Sequence, residues 1–195
     1  MRKIMFNDRF GLTQAVLDGR KTMTRRVINA ENIPDDPEYG YALNINACCV
    51  FNEDDVVAKS QYNLCEVVAI AQSYNDVLEE WKKGYGQGIF LSPKDKAGMT
   101  NKMFVRADDM PHHIKITNIR VERLQDISYE DCLREGIRKW DKGGNPLGPS
   151  YDFVNSPHSY ATPREAFAAL IDKVSGKGTW ESNPYVWVYK FELVD

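Results

Sequence analysis

Residues Gly19 to Arg26 read Gly-Arg-Lys-Thr-Met-Thr-Arg-Arg, so six basic or hydroxyl side chains follow a single glycine. A lysine serves as a base or an activator when burial or a neighbouring cation lowers its pKa. Arg20, Arg25 and Arg26 can supply that field to Lys21. A threonine hydroxyl becomes a nucleophile when a base stands beside it, and Thr24 lies close to Lys21 in the chain. A regular strand places i and i+3 on opposite faces, so Lys21 and Thr24 converge only if a turn or bulge breaks the alternation. The plain alternative, which composition alone favours, is a solvated basic edge strand whose Lys and Arg discourage edge pairing.

The elements that must position these residues follow from periodicity. Phe10, Leu12, Ala15, Val16 and Leu17 predict a helix from Asp8, as N-cap, to Asp18, with Gly19 as its stop. Thr22, Met23, Thr24, Val27 and Ile28 favour an extended chain, which puts Lys21 at a loop-to-strand junction. Lys3–Phe6 reads as a first strand and Val67–Ala71 as a central one. Lys102–Arg106 and Ile114–Leu124 alternate as half-buried strands do. Asn75 to Trp81 predicts a short helix capped by Asn75. Ser128-x-x-Asp131 resembles a capping box, so Tyr129–Arg134 is expected to be helical, with Gly136 as the stop and Glu135 on the last turn. The helix dipole opposes a carboxylate there. Thr162 caps a helix running to Val174, and Tyr185–Phe191 forms the closing strand, with Val186, Val188 and Phe191 facing the core. Residues 30–40 read as loop, 84–101 as a glycine-rich flap beside the pocket, and 138–163 as a long irregular insertion.

The pattern Gly19-x-Lys21-x-x-Thr24-x-Arg26 resembles the signature of the ASCH family of PUA-like β-barrels, Gly-x-Lys-x-x-(Glu or Thr)-x-Arg. It is most similar to the small bacterial N4-acetylcytidine amidohydrolases, which share the Gly-Arg-Lys-Thr-x-Thr form. Leu124-Gln125-Asp126-Ile127-Ser128 followed by Glu135-Gly136-Ile137 is similar to the stretch that carries the family's functional glutamate, which falls on Glu135. The strand Tyr185-Val186-Trp187-Val188-Tyr189-Lys190-Phe191 is the third match. Two departures stand out: Cys65-Glu66 occupies the place of the family's frequent Gly-Asp pair, and residues 29 to 102 are longer than a minimal member needs.

The resemblance implies an α+β fold, a PUA-like mixed β-barrel with flanking helices, as one domain with insertions at about 29–60, 76–101 and 138–163. It also implies hydrolysis of an N4-acylated cytidine-like amide by Lys21, Thr24 and Glu135, without metal or cofactor. Two other readings stay open: a non-catalytic RNA-binding module, and a ribonuclease using the same Lys, Thr and Glu set. Gly19, Arg20, Arg26, Arg106 and Trp180 are the candidate ligand-binding residues, the arginines for a phosphate or ribose edge and Trp180 for base stacking. Trp81, Tyr185 and Trp187 offer further aromatic surface, although most aromatics at such spacings are core.

A net charge of −3 over 195 residues does not suit a dedicated duplex binder. The charge is uneven, with seven Lys or Arg against two acids in residues 1–28 and seven acids against one lysine in 29–60. A basic pocket in an acidic molecule suits one nucleotide or a short single strand. The four cysteines, at 48, 49, 65 and 132, lack zinc spacing, and the three histidines form no metal motif. With no secretory signal and no apolar run of membrane length, cytoplasm is the expected location and a membrane is not an expected partner.

Overall fold

The structure, a computed structural model, describes residues 1–28, 42–44, 49–52, 55–84, 93–141 and 148–194. In chain order its elements are β1 (Lys3–Ile4), α1 (Leu12–Leu17), β2 (Met23–Val27), β3 (Ala42–Asn44), β4 (Cys49–Asn52), β5 (Asp55–Lys59), β6 (Val67–Ile70), α2 (Tyr74–Gly84), β7 (His113–Arg123), α3 (Tyr129–Arg134), β8 (Arg138–Trp140), β9 (Ser150–Asp152), α4 (Pro163–Ser175), α5 (Thr179–Ser182) and β10 (Tyr185–Leu193). The fold is α+β. Five strands form a mixed sheet in the order β1-β6-β7-β10-β2. Only the β1–β6 pair is parallel.

The two longest strands make its spine. β7 reads Ile114, Ile116, then Ile119, so its apolar parity changes midway, and the ladder with β10 slips between Lys190 and Phe191. A bulge adds one residue to one strand and resets which side chains face inward. Here it allows Ile114, Ile116 and Ile119 all to be buried. β10 is buried on both faces, with Val186, Trp187, Val188 and Tyr189 all inside. Terminal strands β1 and β10 thus share one sheet.

β1 and β2 are the sheet edges, and among the described residues no backbone ladder joins them. A side chain spans the gap instead: Arg26 Nη2 donates to Met5 O at 2.6 Å.

Local caps follow sequence chemistry. Thr162 accepts from the Glu165 N–H ahead of Pro163 at the start of α4. Ser128 caps α3 by accepting from the Asp131 N–H at 3.1 Å. Gly19 takes φ +70 after α1. Other expectations are corrected. Gly11, at φ +64, splits the first helix into a 3-10 turn (Asp8–Phe10), capped by Asn7 rather than Asp8, and α1. On α2, Ser73 rather than Asn75 serves as the cap, exchanging bonds with Asp76.

Lys102–Arg106 is not a strand. It curls through a 3-10 turn (Lys102–Phe104) because Asn101 caps Met103 N–H and the Lys3 ammonium gathers the carbonyls of Lys102, Met103 and Val105. The insertions also hold structure. β3, β4 and β5 form an antiparallel sheet within 42–59, and β8 pairs with β9 within 138–152. The expected loop at 30–40 and residues 85–92 of the flap lie outside the described residues, while Pro93–Met99 of the flap forms a 3-10 helix. Among the described residues, no helix is long and apolar enough to cross a membrane.

Candidate functional site

The chain leaving α1 turns at Gly19, and the Lys21 N–H donates to Ala15 O while the Thr22 N–H donates to Arg134 O. β2 begins only at Met23. Lys21 therefore precedes the strand alternation, which removes the geometric objection to its meeting Thr24. Lys21, Thr24 and Glu135 all line one cavity of about 30 Å³, together with Phe6, Leu12, Arg25 and Arg26. Three consecutive β2 residues share that wall, as they can at a strand's free edge. Phe167, Leu170, Ile171 and Val174 from α4 complete the wall.

Lys21 is 2% exposed. Its ammonium has three donors and all three are used, on Glu135 Oε2 at 2.6 Å, Met23 O at 2.7 Å and Glu135 O at 2.9 Å. Burial lowers the Lys21 pKa, and Glu135 only partly offsets that effect. Gly136, at φ +105, clears the way for this approach, because a Cβ there would lie 3.2 Å from Leu12 Cδ2 and 3.7 Å from Lys21 Cδ. Sequence reasoning treated Gly136 only as a helix stop.

The larger omission was Arg25. Its side chain is fully buried and donates to Glu122 Oε1 at 2.6 and 3.0 Å, to Glu135 Oε1 at 3.0 Å and to Asp131 Oδ2 at 3.2 Å. Burial alone would lower its pKa, but Glu135 and Glu122 hold it above the ordinary arginine value. Arg120 completes the group, donating to Glu122 Oε2 at 2.8 Å and Asp131 Oδ2 at 2.7 Å. Burial opposes ionisation of Asp131, yet Arg120 and Arg25 hold its carboxyl below the usual range. Asp131 therefore does not close the capping box with its carboxylate; that group faces the arginines. The signal was present in register: Arg25, Val188 and Arg120 stand opposite one another across β2, β10 and β7.

The other candidates separate from this centre. Arg20 is exposed and pairs with Asp18 at 2.9 Å. Arg106 bonds Asp109 at 2.8 Å, on the chain leading into β7, and does not line the cavity. Trp180 stands one layer behind the wall, edge-on to Phe167 at 6.1 Å and beneath Arg164. Trp187 is core, Tyr185 lies under Arg123 at 3.8 Å, and the Trp81 side chain is outside the described set. Cys132 is buried, which pushes its thiol up to about 12 and removes it as a nucleophile. No group of three or more metal-type ligands occurs among the described residues.

Comparisons of the chain with family models, curated proteins and solved structures give no match.

Proposed function

We propose that the protein is an ASCH-type, PUA-like amidohydrolase that removes the acyl group from an N4-acylated cytidine-like nucleoside. The observation carrying this reading is the convergence of Lys21, Thr24 and Glu135 on one cavity, with Lys21 Nζ 2.6 Å from Glu135 Oε2. The open sheet, whose edges are linked through Arg26, is consistent with a PUA-like barrel opened at one seam. The backbone at Cys65 adds support, since its φ of +63 is the left-handed conformation that favours the glycine of the family's Gly-Asp pair.

Size decides how a substrate enters. A cavity of about 30 Å³ holds roughly two waters or the end of an acyl group, and excludes a base ring. The base stays at the mouth, where Asn7 and Arg26 are partly exposed. The acyl carbonyl takes one of the Lys21 donors from a backbone carbonyl, and its developing negative charge is then held by the ammonium. Thr24 Oγ1 attacks the acyl carbon as its hydroxyl proton passes to the Glu135 carboxylate, and the tetrahedral adduct then collapses with C–N cleavage while that same proton goes from Glu135 to the leaving nitrogen. Water then hydrolyses the acyl-threonine, returning the hydroxyl. Cytoplasm remains the proposed location.

RNA binding through Lys21, Arg25 and Arg26 is the weaker reading, because Lys21 and Arg25 are buried and cannot reach a phosphate backbone. The test is incubation with a panel of N4-acyl cytidines and short RNA, with and without a chelator. Release of cytidine that survives chelation supports the proposal. Cut RNA with no deacylation would replace it with the nuclease reading.

A further inference from the structure

Arg25 is the buried charge that the reaction above leaves unused. Its side chain is fully buried, and it lines the cavity that holds Lys21, Thr24 and Glu135. Most of its guanidinium is tied to groups that do not line that cavity. Nε and Nη2 both donate to Glu122 Oε1, at 3.0 and 2.6 Å, and Nη2 also donates to Asp131 Oδ2 at 3.2 Å. The remaining nitrogen, Nη1, donates to Glu135 Oε1 at 3.0 Å.

Glu135 is therefore held by both oxygens, Oε1 by Arg25 and Oε2 by Lys21 at 2.6 Å. The two holders differ. The Lys21 ammonium sits on a flexible stem, and during the reaction it has to turn one donor from a backbone carbonyl to the acyl oxygen. Arg25 has no such second task. Its planar fork is fixed by Glu122 and Asp131, and Arg120 donates to both of those carboxylates, at 2.8 and 2.7 Å.

This difference bears on the proton. It must pass from Thr24 to Glu135 and on to the leaving nitrogen, and such transfers need heavy atoms about 2.6–3.2 Å apart. A carboxylate that swung with Lys21 would lose that alignment, and a misplacement of about 1 Å can cost about a hundredfold in rate. Arg25 and Lys21 take two of roughly four acceptor positions on the carboxylate, which leaves room for the Thr24 hydroxyl.

We infer that Arg25 is a positioning residue for deacylation, holding the Glu135 carboxylate in line while Lys21 turns to the substrate, with Glu122 as the anchor that keeps Arg25 in place. The inference rests on the deacylation reading above and extends it to two residues that exchange no proton or bond with the substrate.

Steady-state deacylation of N4-acetylcytidine, measured well below the melting temperature of each protein, separates positioning from mere ion pairing. The proteins are the native chain, Arg25→Lys, Glu122→Gln, their double variant, and Val68→Ala. Lysine keeps the charge but is a single point donor and cannot span Glu122 and Glu135 together. Arg25→Lys is expected to lower kcat about tenfold or more with KM within about twofold, since alignment for the chemical step is what is lost. Glu122→Gln, on a side chain that is 16% exposed, is expected to lower kcat about threefold, and it decides the matter if Arg25→Lys does not fold. Both changes act through one carboxylate, so the double variant should lose little more kcat than Arg25→Lys alone. Val68→Ala, a buried β6 position outside the network, is expected to melt lower and keep its kcat. Unchanged kcat in Glu122→Gln, losses confined to KM, additive losses in the double variant, or an equal fall of kcat in Val68→Ala would overturn the inference and leave deacylation standing. No turnover by the native chain would overturn both.

Discussion

The two charged regions solve opposite problems. Around Arg25, four cations (Lys21, Arg25, Arg120 and the half-exposed Arg134) face three carboxylates (Glu122, Asp131 and Glu135), with the donors of Lys21 fully used. Between α1 and α2, Asp8, Asp76, Glu79 and Glu80 line one open cavity of about 360 Å³. Burial forces pairing in the first region, since an uncompensated buried charge costs several kcal/mol; solvent exempts the second from that demand. The first is thereby a rigid, pre-aimed group, and the second an acidic surface open to solvent.

The largest expected effect breaks the balance of the first region. Glu135→Leu leaves the Lys21 ammonium buried without its carboxylate and is expected to cost about 3–5 kcal/mol in denaturant unfolding. Adding Lys21→Met should recover part of that loss, so the double variant is more stable than the single one. Additive losses would mean that the pair is not coupled. The same structural burden makes Glu135 a poor catalytic probe, a consequence the sequence did not reveal.

Next comes Gly136→Ala, which forces a side chain into a left-handed backbone against Leu12 and is expected to cost about 1–2 kcal/mol. Acid sensitivity should follow from Asp131. Its folded pKa is lowered from 3.8, so its contribution to stability is present above that value and lost as pH falls through the lower folded one. Asp131→Asn should flatten stability against pH in that acid window, and an unchanged acid transition would contradict the ion pairing. The smallest effect is a gain: Cys65→Gly relieves a φ of +63 and is expected to stabilise by about 1 kcal/mol or less.

These residues also mark what the sequence made legible. Tyr129–Arg134 and the Thr162 cap were readable because capping depends on neighbours in the chain. Val67–Ile70 and Tyr185–Leu193 were readable because burial leaves an apolar run. Lys102–Arg106 was misread, since its curl is imposed by Lys3, a hundred residues away. Likewise Arg25 looked like one more basic residue beside Lys21. Only the tertiary fold, which sets β7 one strand away from β2 across β10 and brings Asp131 and Glu135 within reach, turns it into the centre of a buried network.

Thr24 offers the most direct test of the proposed chemistry, because it lines the same cavity as Lys21 and Glu135 while the Lys21 donors are spent on Glu135 and Met23. Cytidine release from N4-acetylcytidine should be timed for the native protein and for Thr24→Val, with melting temperatures measured on the same samples. Turnover by the native chain, falling by at least about a hundredfold in Thr24→Val with the melting temperature nearly unchanged, is the predicted result. Equal turnover by both proteins, or none by the native one, would contradict the account.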